Sequence, residues 1–295
     1  MVDSMLFSSV NSLVISSFFI LYIARNSSRG WLRMLFARGV TMINKLFGLE
    51  GKVALVTGAS KGLGRSMSEA LAVAGADVVL TARTMSLLEE TAGLVARHGR
   101  RALPIKCDVG DDGNVQEMVK VAAREMGKID ILVNNAGMQI NKAFRDETYD
   151  NWDRHLKVNL YSAFSTCKAV GPLMVKQKKG KVINIVSVLG VRAFWNTIAY
   201  STTKGALIQF TRAMALEWAR FNINVNAIGP GWFKTEIVEI LDKYPESKKM
   251  VLGHIPFGRL GEPAELSGVV IFLASPASDY MTGETVFVDG GYNVI

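Results

Sequence analysis

The sequence predicts an α/β fold, a doubly wound parallel sheet in one domain, and three observations carry that expectation. From Gly51 onward, short β-branched runs alternate with longer helix-forming stretches. The first run passes through a glycine-rich turn straight into an amphipathic segment. No repeat, low-complexity tract or Pro/Ser-rich linker divides residues 51–295. Strands separated by helices return parallel to one another, with helices covering both faces of the sheet.

The runs follow in order. "KVALVT" (Lys52–Thr57) opens the sheet, and "VALVTGASKGLGRSMSEALA" continues it through Gly58, Gly62 and Gly64 into the first helix. Glycines at such a junction permit a tight turn and close approach of backbone to a pyrophosphate, whose charge the helix N-terminus stabilises. A dinucleotide is therefore expected on Gly58, Ser60, Lys61, Gly62, Leu63 and Gly64. The competing reading, a merely flexible loop, is disfavoured by the strand before and the helix after. "DVVLTA" (Asp77–Ala82) ends at Arg83, where a site for NAD usually carries an acid for the ribose hydroxyls. That acid is missing. Arg83 can meet a 2′-phosphate with its fork of donors, and Lys61 can add a second positive charge, which favours NADP over NAD. "IDILVNN" (Ile129–Asn135), "KVINIVS" (Lys181–Ser187), "NVNAIG" (Asn224–Gly229) and "ETVFVDG" (Glu284–Gly290) follow. Ligands of doubly wound sheets lie outside the carboxyl ends of the strands, so chemistry is expected where each run closes.

Composition agrees with this class. The 295 residues, 49% hydrophobic and 20% charged, suffice for a packed core and exclude a disordered chain. Cys107 and Cys167 lack paired-ligand spacing, so they read as core thiols in a reducing compartment, with no disulfide framework and no metal site. The net charge of +8 is spread along the chain rather than gathered into an aromatic-interleaved stripe, so nucleic acid is not expected as a partner.

Residues 1–50 differ. No charge occurs from Leu6 to Ala24, and "LVISSFFILYIA" precedes Arg25, Arg29, Arg33 and Arg38, the pattern of an apolar span with a basic flank. A membrane tether through residues 6–24, leaving the main domain cytoplasmic, is one expectation. The other is an upstream extension before a natural start at "MINKLFGLEGKVALVTG", since Ser residues and Asn11 dilute the span.

In "AYSTTKGAL", Tyr200 and Lys204 stand four residues apart, neighbours on one helix face, which alone is a weak signal. With "TGASKGLG", "NNAG" (Asn134–Gly137), Ser187, "YSTTK" and "GPG" (Gly229–Gly231) in that order, the chain resembles the short-chain dehydrogenase/reductase family over essentially all of residues 51–295. The resemblance implies a Rossmann-type fold with a small lid and an NADP-dependent oxidoreductase interconverting a secondary alcohol and a ketone by hydride transfer. It implies that Tyr200 gives a proton to the carbonyl oxygen. Lys204 and the oxidised nicotinamide would lower the phenol's pKa, and Lys204 would hold the nicotinamide ribose. Ser187 would donate a hydrogen bond to the same oxygen. Asn159, in "VNLYSAF", would position a water of the proton relay, its alternative being a helix-bending or capping amide.

By the same resemblance Asn135, Ala136 and Gly137 shape the adenosine side, with Asp108 and Val109 near adenine, while Asn134 is either structural or a contact. Pro230, Gly231 and Thr235 would meet the nicotinamide amide. The substrate wall would comprise Gln139, Ser187, Val188, Arg192, Trp195 and Trp232, beneath a lid over residues 236–256. Gluconate 5-dehydrogenases and 3-oxoacyl-[acyl-carrier-protein] reductases share these catalytic groups. Pro172 and Leu216 stand where carrier-protein reductases usually present arginines, whereas "GPGWFKTEI" is similar to the gluconate enzymes and Arg192 can bind a carboxylate. A sugar-acid or polyol substrate is therefore expected. The alternatives are oxoacyl reduction, a membrane-tethered reductase of steroid or lipid ketones, and a catalytically silent NADP-binding protein. The family pattern also implies a homotetramer through residues 159–178 and 199–220 and the C-terminal strand.

Overall fold

The computed structural model describes residues 41–239 and 244–294 and divides the chain into two units, Met1–Gly48 and Leu49–Ile295. In the first unit, residues 41–47 form a short exposed helix. The apolar stretch 6–24 lies outside the described residues, among which no helix is long and apolar enough to cross a membrane.

In the second unit seven parallel strands pair in the order β3-β2-β1-β4-β5-β6-β7. They are β1 (Val53–Thr57), β2 (Asp77–Ala82), β3 (Ala102–Lys106), β4 (Ile131–Asn134), β5 (Gly180–Ile185), β6 (Ile223–Pro230) and β7 (Thr285–Val288). Six of them coincide with the β-branched runs. The strand that periodicity did not display is β3, "ALPIK", which pairs only with β2. An edge position tolerates Pro104, which has no N–H to give a second neighbour, and the same proline hides the strand from a propensity reading.

Helices α1 (Gly62–Val73), α2 (Met85–Arg97) and α9 (Ser267–Ala274) belong to one side of the core; α3 (Asp112–Met126), α5 (Ser162–Gln177) and α6 (Ile198–Trp218) belong to the other. Strand alternation divides the apolar residues accordingly. Ala54, Val56, Val78, Leu80 and Val133 face the first set, while Val53, Leu55, Val79, Leu132 and Val182 face the second. Because both faces are covered, β1 and β4 are buried throughout, which is why their sequences read as unbroken apolar runs. Local capping sets the helix limits. Asp111 accepts from the Asn114 N–H (2.8 Å) to start α3, and Gly127 ends it with a left-handed φ of 79°. Helix α4 (Tyr149–Leu156) begins at Thr148 and joins α5 through one π-helical turn, Lys157–Tyr161. Two short helices, α7 (Glu236–Glu239) and α8 (Pro245–Gly253), follow β6.

The chain moves outward from β1 to β2 and β3, then crosses back to β4 on the other side of β1. The carboxyl ends of β1 and β4 therefore diverge into the crevice where doubly wound sheets bind ligands.

Candidate active site

Thr57, the last residue of β1, bolts the two walls of this crevice together. Its Oγ1 accepts from the N–H groups of Asn135 and Ala136 (both 3.0 Å), while Asn135 Nδ2 donates to the carbonyls of Thr57 (2.9 Å) and Gly58 (3.1 Å). Gly58 has a left-handed φ of 66°, and a Cβ on Gly64 would stand 2.2 Å from the Gly58 carbonyl oxygen. The turn thus closes around bare backbone, and Lys61 enters α1 in an extended conformation without a side-chain cap, leaving first-turn N–H groups for an anion. This cradle fits a dinucleotide pyrophosphate. Ser60 and Leu63 lie within the same turn, partly buried.

Arg83 follows β2, is exposed, and makes no ion pair among the described residues. Lys61 differs, because its ammonium pairs with Glu236 of α7, so a 2′-phosphate has to compete with a carboxylate for it. Asp108 accepts from the Gly110 N–H (2.9 Å), and Val109 beside it lines a cavity of about 530 Å³ with Leu156, Lys157 and Tyr161. Pro230 closes β6; Gly231 donates to the Val288 carbonyl (2.9 Å), and Thr235 Cγ2 lies 3.5 Å from where a Cβ of Gly62 would be. The Pro-Gly element therefore leans on the glycine turn.

Ser187, just beyond β5, starts a 3-10 turn at Val188–Gly190 and accepts from the Leu189 N–H (3.1 Å). Tyr200 is in the first turn of α6 and Lys204 one turn on. The Lys204 ammonium lies 5.6 Å from the Tyr200 ring centroid and donates to the Ile185 carbonyl (2.7 Å). Asn159 sits in the π-helical turn, a distortion that recurs at functional sites. Its Oδ1 accepts from Met138 N–H (2.8 Å), and its Nδ2 donates to the Met138 carbonyl (3.0 Å) and Thr203 Oγ1 (3.1 Å). A Cβ on Gly137 would stand 3.4 Å from Asn159 Oδ1 and 3.6 Å from Lys204 Nζ, so these three residues share one spot.

Burial pushes the Tyr200 phenol above its ordinary value, and hydrogen bonding with Ser187 only partly draws it back. Burial also brings Lys204 down to about 8. Among these side chains desolvation is the largest influence on the phenol, and the Lys204 ammonium is turned to the Ile185 carbonyl.

The Asn134 amide is engaged within the sheet and α5. Its Nδ2 donates to Asn184 Oδ1 (2.9 Å), its Oδ1 accepts from Thr166 Oγ1 (2.6 Å), and Asn184 Nδ2 donates onward to Thr211 Oγ1 (2.9 Å). Both cysteines are buried, and burial drives the Cys167 thiol up to about 12 and Cys107 upward as well.

On the side where a substrate is expected, Val188 packs with Leu189, Val251, Ile255 and Tyr292 under Phe194, Tyr200 and Trp232. Trp232 meets Phe194 edge-on at 5.2 Å and Tyr292 at 6.4 Å. Arg192 folds back, its N–H donating to the Val188 carbonyl (2.9 Å) and its guanidinium to the Asn293 carbonyl. Gln139 is partly buried and donates to Asn141 Oδ1 (2.8 Å). Trp195 is 77% exposed and takes no part in this cluster, in which its neighbour Phe194 packs. Sequence reasoning also missed Thr57, His155, Tyr292 and Asn293. Thr57 left a usable signal, a hydroxyl ending an otherwise apolar strand, but the others are joined to the site only by the fold.

Residues 58–293 match the family model described as enoyl-(acyl carrier protein) reductase. The chain is 41% identical over 254 residues to 2-dehydro-3-deoxy-D-gluconate 5-dehydrogenase of Dickeya dadantii, covering 85% of this chain and 99% of that protein. It is 37% identical over 247 residues to 3-oxoacyl-[acyl-carrier-protein] reductase of Vibrio cholerae, covering 84% and 99%. Among solved structures it is similar to a gluconate 5-dehydrogenase from Burkholderia cenocepacia in complex with NADP and tartrate, with a TM-score of 0.82, 36% identity, and coverage of 85% and 99%.

Proposed function

Because the chain belongs to the short-chain dehydrogenase/reductase family, as an NADP-dependent oxidoreductase of secondary alcohols and ketones, we propose that its substrate is a sugar acid or polyol, as for gluconate 5-dehydrogenase. The observation that carries this reading is Arg192, whose backbone N–H bonds the Val188 carbonyl next to Ser187 and whose exposed side chain places its guanidinium at the Asn293 carbonyl. It can pair with a substrate carboxylate while the carbonyl lies at Ser187 and Tyr200. Pro172 and Leu216 are exposed and uncharged, which weakens docking of an acidic carrier protein.

In this reading Tyr200 passes its proton to the carbonyl oxygen, where charge develops, and Ser187 donates a hydrogen bond to the same atom. Burial keeps the phenol protonated and therefore ready to give its proton in the reducing direction. Lys204, charged below about pH 8, supplies the positive field beside the phenol. Asn159 spends both amide hydrogens on Met138 and Thr203, so it holds the site together and has one Oδ1 lone pair left for a relay water. Bound NADPH supplies the hydride. The residues that would hold it are the Gly58–Gly64 turn, Arg83, Asp108, Val109, Asn135–Gly137, Pro230, Gly231 and Thr235. Residues 51–295 are the catalytic domain in this proposal, residues 1–50 an extension that either tethers it or precedes it, and the assembly a homotetramer.

The test is a panel of 5-ketogluconate, a 3-oxoacyl thioester and a steroid ketone, each with NADPH and NADH. Highest kcat/KM for 5-ketogluconate with NADPH is expected. A preference for the thioester, a chemistry shared with the Vibrio cholerae relative, or for the steroid overturns the substrate reading.

A further inference from the structure

Two side chains of one helical segment grip the stretch that runs past Lys204. Asn159 clasps Met138 on both its N–H and its carbonyl. Four residues earlier, His155 Nε2 lies 3.1 Å from the Ile140 N–H, and His155 Nδ1 lies 2.8 Å from the Asn151 carbonyl oxygen. A carbonyl can only accept, so Nδ1 carries the proton; a backbone N–H can only donate, so Nε2 is bare. Both bonds coexist only in the neutral Nδ1–H tautomer. The ring is fully buried between its own helix and residue 140.

We infer that His155 is a positioning residue of the reaction: as a neutral Nδ1–H imidazole it splints Met138–Ile140, keeping Gly137 against Lys204 and Asn159 and Gln139 at the substrate wall. The N–H groups of residues 138 and 140 are held by side chains one helical turn apart, so the segment is fixed at both ends of Gln139. Without the imidazole only the Asn159 clasp remains, and the part-buried Ile140 N–H loses its acceptor. The cofactor's phosphate cradle, on the far side of Thr57, is untouched. Of the residues the splint positions only Gly137 would also hold NADPH, so its loss lowers turnover more than it weakens NADPH binding, a split that a general loss of stability would not produce.

Two measurements test this, neither depending on which carbonyl is the substrate. The chain has three histidines, so selective 15N-histidine labelling, with His98→Gln and His254→Gln to assign the remaining signals, reads the ring directly. A protonated Nδ1 with an unprotonated, pyridine-like Nε2 near neutral pH is expected; the opposite tautomer or an imidazolium overturns the inference. In kinetics with the panel carbonyl turned over fastest, His155→Leu lowers kcat about tenfold while the KM for NADPH stays within about twofold. His155→Gln restores most of kcat, because its amide can donate to Asn151 and accept from Ile140. Equal loss in both variants, or a change confined to the KM for NADPH, overturns it. If His155→Leu does not fold, the glutamine variant and the nitrogen spectrum decide.

Discussion

The floor of the cleft and its substrate wall are built in opposite ways. On the floor, Ser187, Lys204 and Asn159 are 7%, 3% and 1% exposed, and each is hydrogen-bonded to backbone from another part of the chain or the next turn. On the wall, Arg192 is exposed, and the Trp232 indole nitrogen and both Asn293 amide atoms are buried without a partner among the described residues. The floor's polar groups are fixed before any ligand arrives, which is what stabilising a developing charge requires. The wall carries buried polar groups that are unsatisfied among the described residues, set between Phe194 and Tyr292.

The sharpest way to break this contrast is Tyr200→Phe. The floor predicts a fall in kcat of about 10²–10⁴-fold with NADPH affinity by fluorescence titration little altered; retention of more than a tenth of kcat would erase the distinction. Ser187→Ala follows at about 10²-fold in kcat, read under saturating substrate. Gly64→Ala attacks the cradle: a methyl facing the Gly58 carbonyl at 2.2 Å is expected to cost about 1–3 kcal/mol in denaturant unfolding and to weaken NADPH binding. Arg192→Ala tests the wall alone, raising the KM for 5-ketogluconate about tenfold with kcat nearly unchanged.

A separate effect is a pH dependence of stability. Lys204 titrates at about 8 in the folded protein and at an ordinary 10.5 unfolded, so between those values the unfolded chain binds the extra proton and stability rises with pH. The raised Tyr200 phenol acts oppositely above pH 10, where the native state keeps a proton that the unfolded chain loses. The difference in unfolding free energy between wild type and Lys204→Met should therefore climb from pH 8 to pH 10 in urea titrations. A flat difference would put that ammonium in water.

What the sequence reveals divides along the same line. The sheet was legible because buried parallel strands must be apolar, and only β3 escaped, its proline being admissible at an edge. Gly58, Gly64 and Tyr200 with Lys204 were legible because one short segment supplies each geometry. The wall was legible only in part: Val188 and Trp232 were expected there, but Tyr292 and Asn293 come from a distant segment, and nothing local distinguishes Phe194, which packs, from Trp195, which does not. His155 was hidden for a related reason, since its partner Ile140 precedes the helix that carries it.

Asn134 and Asn184 are register partners on β4 and β5 as well as hydrogen-bond partners. Strands as uniformly greasy as "ILVN" and "KVINI" would lose little hydrophobic contact if they slid past each other by one residue, but such a slide would strand two amides in a dry interior. The pair thus acts as a key between neighbouring strands, fitting only when β4 and β5 lie in their native register.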